Sequence, residues 1–491
     1  MALSFSSLYL LVLASWLGQS IAQEDPTHAG CIHMPIIHST NTHYFEKRAV
    51  SLSLTNRSDI AYYAKLNIGN PPQSVFVQLD TGSFELWVNP QCSNLESGDA
   101  RFCATVGQYD TTQSSTSVPL GTSKQLRYGI GSANISYFTD DIALPGSTTT
   151  LRDVQFGVAT STVQEFSGIM GIGYGQGIAT RYRNFVDELS VQNATKVKAF
   201  TVALGSKDEE EGIIVFGGVD TSRFSGKLAR LPIIPAEQSP DGVPRYWVQM
   251  NSLTLMPPSG RARAYANSSM AVFLDSGATM TLLPAPLAEA VAKDFGSVGA
   301  DANGFYEVGC ELEDLPGTLD FAFAGTTIKV PYRELIRNVP TNPPTCFLGI
   351  TPSEDFTLLG DTFMRSAYAT FDLENNAVWM TQATSNCGST PAALQNMSVM
   401  PTLTGTCNVN RAVSGGGTTG VTTGAGGAAS SSGAAGPAST TSVVSVPSSS
   451  VAVIPTSNTG TGTGTAASMG LRLVPREWVW LIPLAVWLLG C

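Results

Sequence analysis

The stretch Val77-Gln78-Leu79-Asp80-Thr81-Gly82-Ser83 runs an apolar segment into a carboxylate, a hydroxyl and a glycine, and Ala271-Val272-Phe273-Leu274-Asp275-Ser276-Gly277-Ala278-Thr279 repeats the pattern 195 residues later. The residues ahead of each acid are β-branched or large and apolar, so each copy reads as a strand ending in a turn. One acid at a strand end is an ordinary turn residue. Two copies carry more weight because each has a matching second part. Gly171, in Gly168-Ile169-Met170-Gly171-Ile172-Gly173, follows Asp80 by 91 residues, and Gly360, in Leu358-Leu359-Gly360-Asp361, follows Asp275 by 85. Each half therefore holds a strand, an acidic turn and a later apolar-apolar-Gly strand. The correspondence predicts two similar lobes meeting face to face, with Asp80 and Asp275 brought together. Gly82 and Gly277 are expected to allow a tight, unusual backbone path, and the Thr81 and Ser276 hydroxyls to bond across the two loops.

The rest of the chain agrees with a mostly β fold. At 491 residues it exceeds the size at which a single core stops growing, so two lobes with appendages are expected. Short alternating segments at YYAKLNIGN, SVFVQLD, LRYGIG, VQFGVAT, KAFTVALG, GIIVFGG and YWVQMNSLTL are separated by Gly, Pro and Asn. Helical periodicity is confined mainly to RNFVDELSVQ near 183 and PLAEAVAKDFG near 286.

Both ends carry processing signals. Residues 1–22 pair a short apolar run with a small-x-small ending, the pattern of a secretory signal peptide. Residues 23–48 end in Lys47-Arg48 and read as a propeptide removed at a dibasic site. From 389 to 413 runs a C-terminal extension, and from 414 to 468 composition collapses to Gly, Ser, Thr, Ala and Val, a flexible stalk without the means to build a core. Residues 469–491 hold a polar spacer and an apolar tail preceded by small residues. This is the arrangement of a GPI-attachment signal that is exchanged for lipid. Five sequons, at Asn56, Asn134, Asn193, Asn267 and Asn396, fit an exported glycoprotein.

Composition excludes several chemistries. The net charge of −11 and pI near 4.9 argue against nucleic acid as a partner. All four histidines, His28, His33, His38 and His43, precede Lys47-Arg48. A chain cut there has no histidine, hence neither serine–histidine or cysteine–histidine hydrolysis nor a histidine-bound zinc. Of eight cysteines, Cys491 leaves with the tail. Cys92 with Cys103, Cys310 with Cys346 and Cys387 with Cys407 are each close enough in sequence to bridge, leaving Cys31 over, although spacing alone does not fix connectivity.

With these motifs in place, the chain resembles the pepsin-type aspartic proteases over roughly residues 59 to 388. YYAKLNIGNPPQSVFVQLDTGSFELWV is similar to the family's first active-site block, and LLGDTFMRSAYATFDLENNAVWMTQA to its closing block. The ends of the chain are similar to those of the GPI-anchored fungal yapsins. The resemblance implies a bilobal, mostly β fold with an N-terminal lobe (59–240) and a C-terminal lobe (241–388) around a cleft. It implies a catalytic pair, Asp80 and Asp275, and a hairpin flap, Tyr128-Gly129-Ile130-Gly131, with Trp87 bonding to Tyr128. It further implies a monomeric, cell-surface endopeptidase made as a zymogen, cutting proteins and peptides with no metal or organic cofactor. The alternative is an inactive surface binding protein of the same shape. Ser83 offers the first acid a hydroxyl, whereas Ala278 stands where the family usually offers a second. Basic cleavage preference, for which Glu85, Asp140, Asp141 and Asp208-Glu209-Glu210-Glu211 are acidic candidates, and preference for apolar residues both remain open.

Overall fold

The computed structural model describes residues 30–38, 61–89, 92, 97–129, 131–145, 147–209, 211–339, 341–385 and 387–407. The expected signal peptide, Lys47-Arg48, the sequon at Asn56, the flap residue Ile130, Glu210, the stalk and the apolar tail lie outside these residues.

Alternating side chains build the strands as their spacing predicts. In Gln73–Asp80, Val75, Val77 and Leu79 share one fully buried face, while Phe76 on the other packs into a small cluster with Tyr63 and Val106. The strand is thus covered on both sides, which accounts for its nearly unbroken apolar run. Its parallel neighbour is Gly168–Gly171, with Asp80 opposite Gly171. In the second half Met270–Leu274 runs parallel to Leu358–Leu359, and the Asp275 N–H donates to the Leu359 carbonyl at 3.0 Å. Each acid therefore sits at the end of a buried parallel ladder made with the apolar-apolar-Gly strand of its own half. The repeat seen in sequence is a repeat in space.

These ladders belong to a thirteen-stranded and an eight-stranded sheet. The larger sheet is not confined to the first half of the chain. Ala367–Asp372 and Ala377–Gln382 return to it, the former pairing with Ala199–Ala203. Likewise Ile32–His38 lies between Glu211–Phe216 and Tyr62–Ile68, with Ile32, Met34 and Ile36 buried in the main core. The segment expected to be excised thus supplies a core strand to the chain as folded here. Residues 389–407 likewise pack onto the body: Pro391–Ala393 pairs with Gly218–Asp220 and Thr404–Thr406 with Ser225–Lys227.

Both expected helices form. Phe185–Val191 begins with a capping box in which Asn184 and Asp187 satisfy each other's backbone N–H, and Ala285–Asp294 buries Leu287, Ala288, Val291 and Ala292. Disulfides join Cys92 to Cys103, Cys310 to Cys346 and Cys387 to Cys407, and Cys31 is a buried free thiol. Asn134, Asn193, Asn267 and Asn396 are all exposed.

Candidate active site

Two hydroxyls lock the acidic turns together. The Thr81 Oγ1 donates to the Leu274 carbonyl at 2.8 Å and accepts from the Ser276 N–H at 2.9 Å. Reciprocally, Ser276 Oγ donates to the Leu79 carbonyl at 3.0 Å and accepts from the Thr81 N–H at 3.2 Å. Both side chains are buried, so four bonds that water would otherwise weaken hold one turn to the other. Gln78 adds a fifth tie, its amide donating to the Gly277 carbonyl at 3.0 Å.

The glycines act differently from the sequence expectation. Neither Gly82 nor Gly277 has a positive φ. What they provide is space: a Cβ on Gly82 would lie 2.5 Å from Asp275 Oδ1, and one on Gly277 would lie 2.5 Å from Asp80 Oδ1. Each carboxylate rests on the bare backbone of the opposite turn. Any side chain there would push the acids apart.

Asp80 and Asp275 are thereby brought to the same place, each carboxylate lying against the glycine of the other's turn. Asp80 Oδ1 accepts the Gly82 N–H at 2.8 Å, and its Oδ2 accepts the Ser83 hydroxyl. Asp275 accepts the Gly277 N–H at 2.9 Å, and Ala278 has no hydroxyl to add. Asp275 keeps some surface open to the cleft but is densely enclosed. Burial first, and the charge of Asp80 second, push its carboxyl up to about 8, against the pull of the Gly277 N–H and Arg245. Asp275 lacks the hydroxyl donor that Ser83 gives the opposite acid, so Asp275 is the natural holder of the shared proton.

This asymmetry predicts the effect of restoring a hydroxyl. In an Ala278→Thr variant a donor to Asp275 favours its ionised form, so the alkaline limb of the pH–kcat/KM profile should move to lower pH by about half a unit to one unit. Identical limbs in wild type and variant would show that position 278 does not tune the pair.

Around the pair, Trp87 Nε1 donates to Tyr128 Oη at 2.6 Å, placing the tyrosine at the base of the hairpin. The Tyr128 N–H donates to the Gly131 carbonyl at 3.1 Å. Gly131 adopts φ of 103°, a conformation that favours glycine in so tight a turn.

Two cations near the site were not singled out from the sequence. Arg245 lies over the Phe273 ring at 4.9 Å, donates from Nε to Asp241 at 2.8 Å, and reaches the Gly82 carbonyl with Nη1. It thereby links the strand entry of the second half to the acidic turn of the first. Arg365 is buried with Glu334, their side chains 2% and 6% exposed, and donates to both the Glu334 carboxylate and, at 2.6 Å, its carbonyl. Beside it Asp361 is buried with neither carboxylate oxygen hydrogen-bonded. Desolvation holds the Asp361 carboxyl well above the usual range, opposed by Arg365 and reinforced by the two site aspartates. Neither arginine belongs to a local charge pattern, so only the folded chain brings them here.

The acids read from sequence as cleft candidates are engaged elsewhere. Buried Glu85 pairs with Lys124 and accepts from Tyr137 and Tyr182. Asp140 accepts from Tyr109 and Thr116, and Asp141 pairs with Arg152. Asp208 pairs with Arg333, and Glu209 with Arg223 at 3.4 Å.

With this geometry in view, comparison with known proteins becomes decisive. The sequence model of the family described as eukaryotic aspartyl protease matches residues 61–383. The chain belongs to the eukaryotic aspartyl proteases. Among curated relatives of this aspartyl protease, candidapepsin-3 of Candida albicans is 33% identical over 362 residues, covering 71% of this chain and 86% of the relative. The probable aspartic-type endopeptidase opsB of Aspergillus oryzae is 31% identical over 349 residues, covering 67% and 70%. Secreted aspartic protease 8 of Candida albicans is 31% identical over 344 residues, covering 69% and 79%. The chain is thus an aspartic-type endopeptidase by family, and its matched region includes both acidic turns, the hairpin and Arg365.

Proposed function

We propose that the protein is a secreted, cell-surface endopeptidase in which Asp80 and Asp275 share one proton and activate a single water. The observation that carries this reading is the mutual contact of the two carboxylates, each resting on the other's glycine. Two such groups in a desolvated site cannot both ionise cheaply, and the pair therefore supplies a base and an acid at once. Asp80 takes a proton from the water, whose oxygen attacks the peptide carbonyl carbon, while Asp275 gives its proton to the carbonyl oxygen. In the second step the tetrahedral carbon re-forms its C=O, the C–N bond breaks, the amine takes the proton from Asp80, and the released hydroxyl proton returns to Asp275. Tyr128, held by Trp87, lies where the hairpin would cover the peptide.

The same reading makes the chain a zymogen, cut after Lys47-Arg48 and held on the outer membrane face by a GPI lipid added at one of Asn458, Gly464, Ala466 or Ser468. Supporting it are the dibasic pair, the apolar tail behind small residues, the four exposed sequons and relatives named as secreted proteases. Excision of 23–48 would remove Ile32, Met34 and Ile36 from the core, so activation includes a rearrangement of that sheet position.

Hydrolysis of an acid-denatured protein, blocked by a statine whose hydroxyl mimics the tetrahedral carbon, tests the chemistry. Binding of peptide without any cleavage, by chain processed after Arg48, would favour the inactive binding protein instead.

A further inference from the structure

The charged groups around the acidic pair come from several elements. Asp361 opens the short helix Asp361–Met364, and Tyr128 from the hairpin and Glu165 from the segment ahead of Gly168–Gly171 feel the charge of Asp80. Arg245 precedes the strand Trp247–Met256 by two residues and acts on Asp275. It is the cation of this set. Its Nε donates to Asp241 at 2.8 Å, an acid whose other oxygen accepts the Val243 N–H at 2.9 Å. The rings of Phe273 and Phe84 lie 4.9 and 6.0 Å from the guanidinium. Nη1 donates to the Gly82 carbonyl. Asp241 and Phe273 belong to the second half of the chain, Phe84 and Gly82 to the first. The side chain is thus a strap from one half to the other, ending on the glycine against which Asp275 rests.

Resting on the proteolytic reading above, we propose that Arg245 is a positioning residue for peptide hydrolysis, pressing the Gly82 turn against Asp275 and supplying the positive charge that sets the pH range of the pair. The bond to the Gly82 carbonyl fixes the bare backbone beside the carboxylate, and a shift of about 1 Å in such a support costs up to about 100-fold in rate. The charge acts on the proton. Burial first, and Asp80 second, push the Asp275 carboxyl up, and Arg245 pulls against both. The pull is moderate, because the guanidinium is 23% exposed and paired with Asp241. Without the charge of Arg245, both protonation steps of the pair move to higher pH. Without the opposing charge of Asp241, both move to lower pH.

The test records kcat and KM for one peptide across the acid-to-alkaline range with the secreted enzyme and three variants. Arg245→Met keeps an apolar stem over Phe273 but loses the bond and the charge. Its kcat should fall about tenfold with KM within about twofold, and the alkaline limb of its kcat/KM profile should rise by about half a unit to one unit. Arg245→Lys keeps the charge without the fork that spans Asp241 and Gly82, so the limb should return to its wild-type place while kcat stays low. Asp241→Asn keeps an acceptor for Nε and removes a negative charge, so the limb should move down instead. Loosened packing alone does not produce opposite displacements in Arg245→Met and Asp241→Asn. Limbs that coincide in wild type and Arg245→Met, or an undiminished kcat in that variant, overturn the assignment whatever happens to the melting temperature. Wild type that cleaves no peptide overturns the proteolytic reading. The assignment is then judged by proton titration of the proteins without substrate, where an unmoved Asp275 step in Arg245→Met overturns it.

Discussion

Changing Asp80 or Asp275 to Asn is expected to lower kcat/KM for peptide hydrolysis by about 10⁴-fold or more, with little change in melting temperature. Asparagine keeps the shape that fits over the opposite glycine, and the amide oxygen can still accept the Gly82 or Gly277 N–H. What it cannot do is exchange a proton with water. With Asn at 80 the base is gone; with Asn at 275 the proton that neutralises the carbonyl oxygen is gone. Because the two acids act as a unit, the double variant should be hardly worse than either single one. Gly82→Ala and Gly277→Ala probe the geometry separately, since both acids remain while the added methyl falls 2.5 Å from a carboxylate oxygen. Assay of purified, processed protein with a fluorogenic peptide provides the measurement, and a single-site variant retaining a tenth of wild-type activity would refute the pairing.

The second large effect concerns stability. Arg365→Met is expected to destabilise the fold by about 3–5 kcal/mol, the usual range for breaking a buried ion pair by removing one partner. Arg365 is the counter-charge of Glu334 and offsets the charge of Asp361, both in the interior. The pH dependence follows from Asp361, whose folded carboxyl titrates above its unfolded value. Its contribution is fully present below about pH 4 and is lost as pH rises through the folded pKa. Without the guanidinium that pKa rises further, so the deficit of the variant should grow with pH only from the point at which wild-type Asp361 begins to ionise. Urea unfolding at pH 4 and pH 7 reads this difference directly. Equal deficits at both values would mean that Asp361 stays protonated up to pH 7 or does not respond to Arg365.

Much of the architecture could be read from sequence because it is carried by repetition along the chain. The two Asp-hydroxyl-Gly turns and their distant apolar-Gly partners mark the parallel ladders, since a strand covered on both faces needs a nearly continuous apolar run. The hydroxyls of Thr81 and Ser276 were legible for the same reason, as donors placed next to an acid in both copies. Gly82 and Gly277 were recognised, but for a torsional reason when the structural one is close approach across the lobe boundary. Those contacts join residues 193 and 197 positions apart and leave no mark on local pattern.

Charge was the least informative feature. Glu85, Asp140, Asp141, Asp208 and Glu209 are visible as acids, yet each is bonded within the body. Sequence displays the charge of a side chain and not its partner. The position of Ile32–His38 was hidden by the dibasic pair that follows it, which reads as the end of an excised segment, whereas the fold packs these residues as a core strand.

The central claim is that the two aspartates hold one proton between them well above the pH at which isolated carboxyls lose theirs. A difference proton titration of wild type against Asp275→Asn between pH 3 and pH 9 tests it most directly. The account predicts one extra proton released by the wild type with an apparent pKa of about 8. Release of that proton below pH 5, with nothing further up to pH 9, would contradict it.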